Sequence, residues 1–415
     1  MSIINDKSII KDLLSKVNDI ACLPENDEKK ERWLKANSLK SEDRKFRPPI
    51  FTCIHGFAGD FEGGYLPVPE LECENTEYQK FELHLKYILY RYDLIPDDVY
   101  IEKPIYKVDK AVYGKYDWGI KAKYSERSVK GGSWKFEPVI TNKSQLDQLK
   151  FPVITYDKEE TEKRYQKACD LFGDIIDVVV VNGYGWPSFH LMGDWCRLRG
   201  LEQLYTDMYD DPEFVHAAMQ ILAEGNKHQY RQMEEMGLLT PGQVWTIAED
   251  LPLQDGDEEK LKLKDIFTFV EAQELTVVSP KMHKEFALQY EKPLAEMCGL
   301  STYGCCEDLT HKLDDLFEFN NLRSIAVTPW ADTEKCAEKI NTKYGISWRP
   351  NPSHLVSDFD EDYIRSYLRL NLEMLKKYDC ACHVFLKDIH SCGGHPERFT
   401  RWTQICSEEI KRLWE

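Results

Sequence analysis

From about residue 150 onward, short apolar or β-branched runs alternate with long stretches of helical spacing. The clearest run is Ile175–Asn182 (IIDVVVVN), a segment of the kind that predicts a strand covered on both faces. Val99–Glu102, Val244–Ile247, Ile266–Val270, Leu300–Gly304, Arg323–Val327, Tyr344–Trp348 and His383–Ile389 predict further strands. Helices are expected between most of them: from Leu201 to Glu235, over Pro280–Met297 and over Tyr363–Lys377. Inside the first, Asp211-Pro212-Glu213 marks a helix restart with proline in the first turn.

Strand–helix alternation argues for a parallel sheet in an α/β protein. Eight candidate strands over roughly 300 residues suit a (β/α)8 TIM barrel better than an open sheet. Residues 1–46 are polar, charge-rich helix, and the chain is mixed from Arg47 to about Val153. The expected organisation is therefore an N-terminal helical arm and mixed extension over 1–90, then a barrel over 91–415. An insertion rich in Pro, Gly and Asp lies near 240–265. No G-x-G-x-x-G or phosphate-binding loop follows any strand, so nucleotide binding has no support.

Charge narrows the partners. With 54 basic and 72 acidic side chains among 415 residues, the net charge is −18. That disfavours nucleic acid and adhesion to an anionic membrane, and it suits solubility. The N-terminal MSIINDKSIIKDLL lacks a continuous apolar core and no run is long enough to span a bilayer, so a cytoplasmic location is expected. The 13 cysteines are then expected as thiols.

In a barrel, the residues just after each strand face the active site. Two such ends are rich in metal-ligand types: Tyr303-Gly304-Cys305-Cys306-Glu307 and His390-Ser391-Cys392. In extended chain, residues i and i+2 share a side with Cα atoms roughly 6.5–7 Å apart. His390 and Cys392 can therefore share one ion, and Tyr303 and Cys305 share a face by the same rule. Thiolate and imidazole suit four-coordinate zinc, with a position left open when the metal is catalytic. The plainer reading is that a buried cysteine is a small hydrophobe and a strand-end histidine makes an ordinary hydrogen bond. Cys380 and Cys382, alternating in DCACHVFL, fit that reading better.

The blocks FTFVEAQELTVVSPKMHKEFALQYEKPL (267–294), LSTYGCCEDLTHKLDDL (300–316), HVFLKDIHSCGGHPERFTRW (383–402) and RLRGLEQLYTDMYDDPEFVHAAM (197–219) together resemble the uroporphyrinogen decarboxylase superfamily over about residues 90–415. The resemblance implies a (β/α)8 barrel and one of two chemistries: cofactor-free decarboxylation of a porphyrinogen, or zinc-dependent methyl transfer involving a corrinoid protein. Arg47-Pro48-Pro49 is present, but IFTCIHGFAGDF follows it in place of the decarboxylase's arginine-bearing segment, and DIHSCGG replaces its N-L-G-H-G motif. Cys305 and Cys392 fall on the methyltransferase branch's cysteines, whereas its first histidine is Tyr303 here. The implied metal set is Cys305, Cys306, His390 and Cys392, with Glu307 or Asp332 as substitutes for the missing ligand.

The expected function is transfer of a methyl group from a small methylated substrate, such as a methoxylated aromatic (O-demethylation) or a methylamine, to a separate corrinoid protein, or between methyl-corrinoid and a thiol. No D-x-H-x-x-G corrinoid-binding motif is present, so the carrier is expected to be another polypeptide. Zinc would act as a Lewis acid or lower a thiol's pKa. Glu271, Glu307 and Asp332 are the catalytic candidates, with Glu274 nearby as a further proton donor. Tyr303, Arg349 and Trp186 are the substrate-binding candidates, Arg349 for an anionic group and Trp186, Trp330 and Trp348 as pocket walls. The alternatives are a metal-free decarboxylase of a tetrapyrrole-like carboxylate and a non-catalytic ligand-binding barrel.

Overall fold

A computed structural model describes residues 2–54, 69–127, 133–183, 185–251, 260–389 and 392–415. They form two compact units that are interleaved along the chain. Unit 1 comprises Met1–Val108, Arg164–Val179 and Ser347–Glu415; unit 2 comprises Asp109–Lys163 and Val180–Ile346. Residue 90 lies inside the helix Thr76–Leu94 of unit 1.

Unit 1 is built on paired helices. In Ser2–Ala21 the residues Ile10, Leu13, Leu14 and Val17 recur at three- and four-residue spacing, giving one apolar stripe. It packs on Tyr78, Phe81 and Leu85 of Thr76–Leu94 and on Phe172. Asn75 caps the second helix by accepting from Glu77 N at 2.9 Å. The strand Ile50–Thr52 runs parallel to Cys382–Leu386, with Ile50 opposite Val384 and Thr52 opposite Leu386. The helices Glu361–Lys377 and Glu397–Trp414 are joined by ion pairs centred on buried Glu409, which accepts from Arg365, Arg369 and Arg412 at 2.9–3.0 Å. Those guanidinium hydrogen bonds, led by Arg369, hold the Glu409 carboxyl down at about 2.

Unit 2 carries four parallel strands side by side: Ser188–Phe189, Phe267–Val270, Leu300–Tyr303 and Leu322–Val327. Their residues are almost all buried, as strands covered on both faces require. The helix Pro212–Glu235 buries Phe214, Val215, Ala218, Met219, Leu222 and Tyr230 on one face. Asp211 caps it by accepting from Phe214 N at 3.1 Å, so the restart read from Asp211-Pro212-Glu213 is present. At Gly345–Trp348 the chain passes from unit 2 into unit 1.

This is an α/β fold with parallel strands. Five of the expected strands lie within a residue or three of their predicted bounds, and Ile175–Asn182 shortens to Val178–Val181. Val99–Glu102 is not a strand, and Val244–Thr246 is a 3-10 turn. There Thr246 Oγ1 donates to Gln243 O and accepts from Gln243 N, a local loop of side-chain and backbone bonds that competes with strand pairing. Ile50–Thr52 and Ser188–Phe189 are too short to leave a period in the sequence. Residues 252–259 of the expected insertion lie outside the described residues. Among the described residues, no helix is long and apolar enough to cross a membrane.

Candidate active site

The C-terminal ends of three adjacent strands in unit 2 bring titratable groups together. Ser188–Phe189 delivers His190, Phe267–Val270 delivers Glu271, and Leu300–Tyr303 delivers Cys305, Cys306 and Glu307. His190 Nδ1 and Glu271 Oε1 are 2.8 Å apart, and Glu271 Oε2 accepts from Gln273 N at 2.7 Å. Glu307 is fully buried; its Oε2 accepts from Cys305 N at 2.7 Å, and its Oε1 takes a long bond from Ala272 N at 3.4 Å. One carboxylate thus ties the Cys-Cys turn to the neighbouring strand end.

Backbone geometry explains how Cys305 reaches this position. Thr302 lies opposite Phe269 and Ser324, whereas Tyr303 lies opposite Val270 and Ile325, so the two point to opposite faces of the sheet. Tyr303 faces the helices: its hydroxyl donates to Glu291 Oε2 at 2.8 Å and stands 3.0 Å from His283 Nε2. Gly304 then adopts φ +105°, which breaks the alternation that would have put Cys305 on the face of Tyr303. A Cβ at Gly304 would lie 2.6 Å from Leu309 Cδ1.

Burial sets the electrostatics. It pushes the Glu307 carboxyl up to about 7, with the charge of Glu271 adding to the effect. Glu274 rises to about 8, again through burial first and Glu271 second. Its Oε2 is buried without a hydrogen-bond partner among the described residues, and its Oε1 stands 3.1 Å from where a Cβ on Gly193 would be. Asp194 rises to about 6 because it is buried. Burial alone would lower His190, but its hydrogen bond to Glu271 and that carboxylate's charge outweigh it and leave the imidazole raised. Three carboxyls therefore hold or share protons near neutrality, which is the condition for general acids.

An aromatic wall stands beside them. Phe269, on the same face of its strand as Glu271, lies 5.4 Å from the His190 ring and 6.0–6.5 Å from Trp245 and Trp186. Trp186 is anchored by Nε1 donating to Phe267 O at 2.9 Å.

The structure therefore gathers Cys305, Cys306, Glu307, Glu271 and Trp186 in one region of unit 2. It turns Tyr303 into the helix layer and uses Asp332 to cap the helix Thr333–Ile340, where Asp332 accepts from Lys335 N at 3.1 Å and pairs with Lys335 Nζ at 2.8 Å. Trp330 is 69% exposed and Trp348 fully buried. Arg349 and Cys392 are buried in unit 1, with the Arg349 guanidinium 5.7 Å from the Phe385 ring centre. His390 lies outside the described residues. Sequence reasoning missed His190, Asp194, Phe269 and Trp245. His190 follows a two-residue strand that no periodicity marks, and Trp245 sits in the segment read as a strand.

The two vicinal sulfurs, Cys305 Sγ and Cys306 Sγ, are 3.6 Å apart. Two ligands of a tetrahedral zinc with Zn–S of about 2.3 Å would be separated by about 3.8 Å. The pair fits two of four positions, but among the described residues no group of three or more His, Cys, Asp or Glu is placed to hold a metal ion.

No protein-family model matches the chain, and no curated protein matches it. Among solved structures, a methyltransferase from Methanosarcina mazei is similar to it, with a TM-score of 0.49 and 11% identity over 93% of this chain and 99% of the other.

Proposed function

We propose that the protein is a methyltransferase that moves a methyl group from a small methylated compound to a corrinoid carried by a separate polypeptide. The parallel strands would belong to a (β/α)8 barrel, and the strand-end cluster of unit 2 would be the reactive centre. The observation that carries this reading is Glu307: a fully buried carboxyl raised to about 7, hydrogen-bonded to the backbone of Cys305 beside a pair of thiols 3.6 Å apart.

Methyl transfer to a strong nucleophile requires that the oxygen, nitrogen or sulfur losing the methyl become a good leaving group. Glu307, with Glu274 as a second donor, would deliver a proton to that atom as the bond to carbon breaks. Glu271 would hold His190 by its Nδ1 and keep the imidazole oriented. Phe269 and Trp186 would form the apolar wall against which the substrate lies and from which water is displaced. Cys305 and Cys306 would hold zinc, which when bound would supply Lewis acidity to the leaving atom.

The test is an anaerobic assay with zinc-loaded protein, a reduced corrinoid protein and a panel of methoxylated aromatics, methylamines and methyl thioethers, read by absorbance of the methylated carrier. Methylation with at least one compound, reduced on the order of a hundredfold in Glu307→Gln, is expected. Zinc measured on the purified protein should be stoichiometric and fall in Cys305→Ala and Cys306→Ala. No methylation with any compound, together with full zinc occupancy in both cysteine variants, would overturn the proposal.

A further inference from the structure

Adjacent cysteines seldom have their sulfurs in contact, because a trans peptide in an extended strand sends successive side chains to opposite faces. Here both sulfurs lie on one side of the bend that follows Gly304, at 3.6 Å, and both residues are half-buried rather than sealed in the core. Neither is in a disulfide. By contrast Cys298, Cys382 and Cys406 are enclosed, and burial pushes the Cys298 thiol up to about 12 and raises those of Cys382 and Cys406 as well.

We propose that Cys305 and Cys306 are a redox modification site, a vicinal dithiol that a small disulfide closes into an intramolecular ring. In the first step the thiolate of one cysteine attacks a sulfur of the oxidant R–S–S–R. It forms a mixed disulfide and expels one thiolate, which takes up a proton. In the second step the neighbouring thiolate attacks the cysteine sulfur of that mixed disulfide and expels the second R–S−. Two S–H bonds are lost and one S–S bond forms; the two electrons and two protons leave on two molecules of R–SH. The contact distance favours the second step over release of the mixed disulfide, since the attacking sulfur is already in van der Waals range.

Closure would be reversible. Across a trans peptide the two Cα atoms are about 3.8 Å apart, below the usual range of about 4.4–6.8 Å for a disulfide. Such a ring is strained, and strained disulfides are the easily reduced ones. Its position matters because Cys305 N is held by Glu307, so closing the ring alters the turn that places the proposed proton donor. The inference stands on the sulfur geometry and does not require the methyltransferase reading.

The test treats full-length, metal-stripped protein with oxidised glutathione, blocks remaining thiols with iodoacetamide and maps cysteine peptides by mass spectrometry. The peptide containing residues 305–306 should lose two hydrogen masses and resist alkylation until dithiothreitol restores it. Cys305→Ser and Cys306→Ser should each carry one glutathione and no ring. Wild-type protein in which both cysteines are alkylated, stay glutathionylated or pair with another cysteine would overturn the inference. A second arm preloads zinc. Protection from closure supports zinc on these sulfurs, whereas closure at an unchanged rate removes zinc from them and leaves the dithiol site standing.

Discussion

Glu307 has two neighbours that decide its behaviour: the backbone N–H of Cys305, which favours the charged form, and the charge of Glu271, which opposes it. Burial and Glu271 win. The native carboxyl keeps its proton to about pH 7, while the unfolded chain releases it near 4.5. The native state therefore binds more protons between those values. The associated stability is present in full below about pH 4.5 and is lost as pH rises through about 7. Asp194 and Glu274 act with the same sign. The loss from Glu307 is on the order of 3 kcal/mol. Glu307→Gln, which keeps a neutral side chain of the same shape, should flatten the fall in melting temperature between pH 5 and 8, as measured by calorimetry. Parallel curves for the two proteins would show that Glu307 is ionised throughout. In the methyl-transfer assay the same proton predicts an activity limb that falls as pH rises through 7–8 in wild type, a window set by Glu307 and Glu274.

Between strand and helix, Gly304 is the position on which the site geometry turns. Gly304→Ala must bring a Cβ against Leu309 at φ +105°, a cost of about 1–3 kcal/mol. It should also move Cys305 off Cys306 and slow ring closure by oxidised glutathione; a variant as stable as wild type that closes as fast would refute that role. Long apolar strands, the capped helix after Asp211 and the Cys-Cys-Glu cluster were legible in the sequence because each is local. The side of the sheet taken by Tyr303 was not. A two-residue alternation rule placed it with Cys305, and one glycine in a left-handed conformation reverses that placement. His190 was hidden for a different reason: its strand is two residues long, and its partner Glu271 lies 81 positions away.

At the scale of the whole molecule, the two units carry opposite pH responses. Glu409 in unit 1 is held down at about 2 by Arg369, Arg365 and Arg412. Its contribution is present above about pH 4.5 and is lost as pH falls through about 2. Arg369 and Arg412 are nearly half exposed, so water screens part of the attraction. Glu409→Gln should therefore cost on the order of 2 kcal/mol at neutral pH and little at or below pH 2, checked by denaturant titration at both values. Equal destabilisation at both would assign the loss to packing instead.

The interleaving of the units bears on how the protein is made. Strand Ile50–Thr52 finds its partner in Cys382–Leu386, more than three hundred residues later. A ribosome emits the first half of that pair long before the second, at about 5–20 residues per second, so the early strand emerges with an open edge and must wait. Unit 1 cannot close until the last segment has left the exit tunnel. C-terminal truncation ahead of residue 382 should thus leave a nascent chain that chaperones retain, even though every residue of unit 2 has already been synthesised.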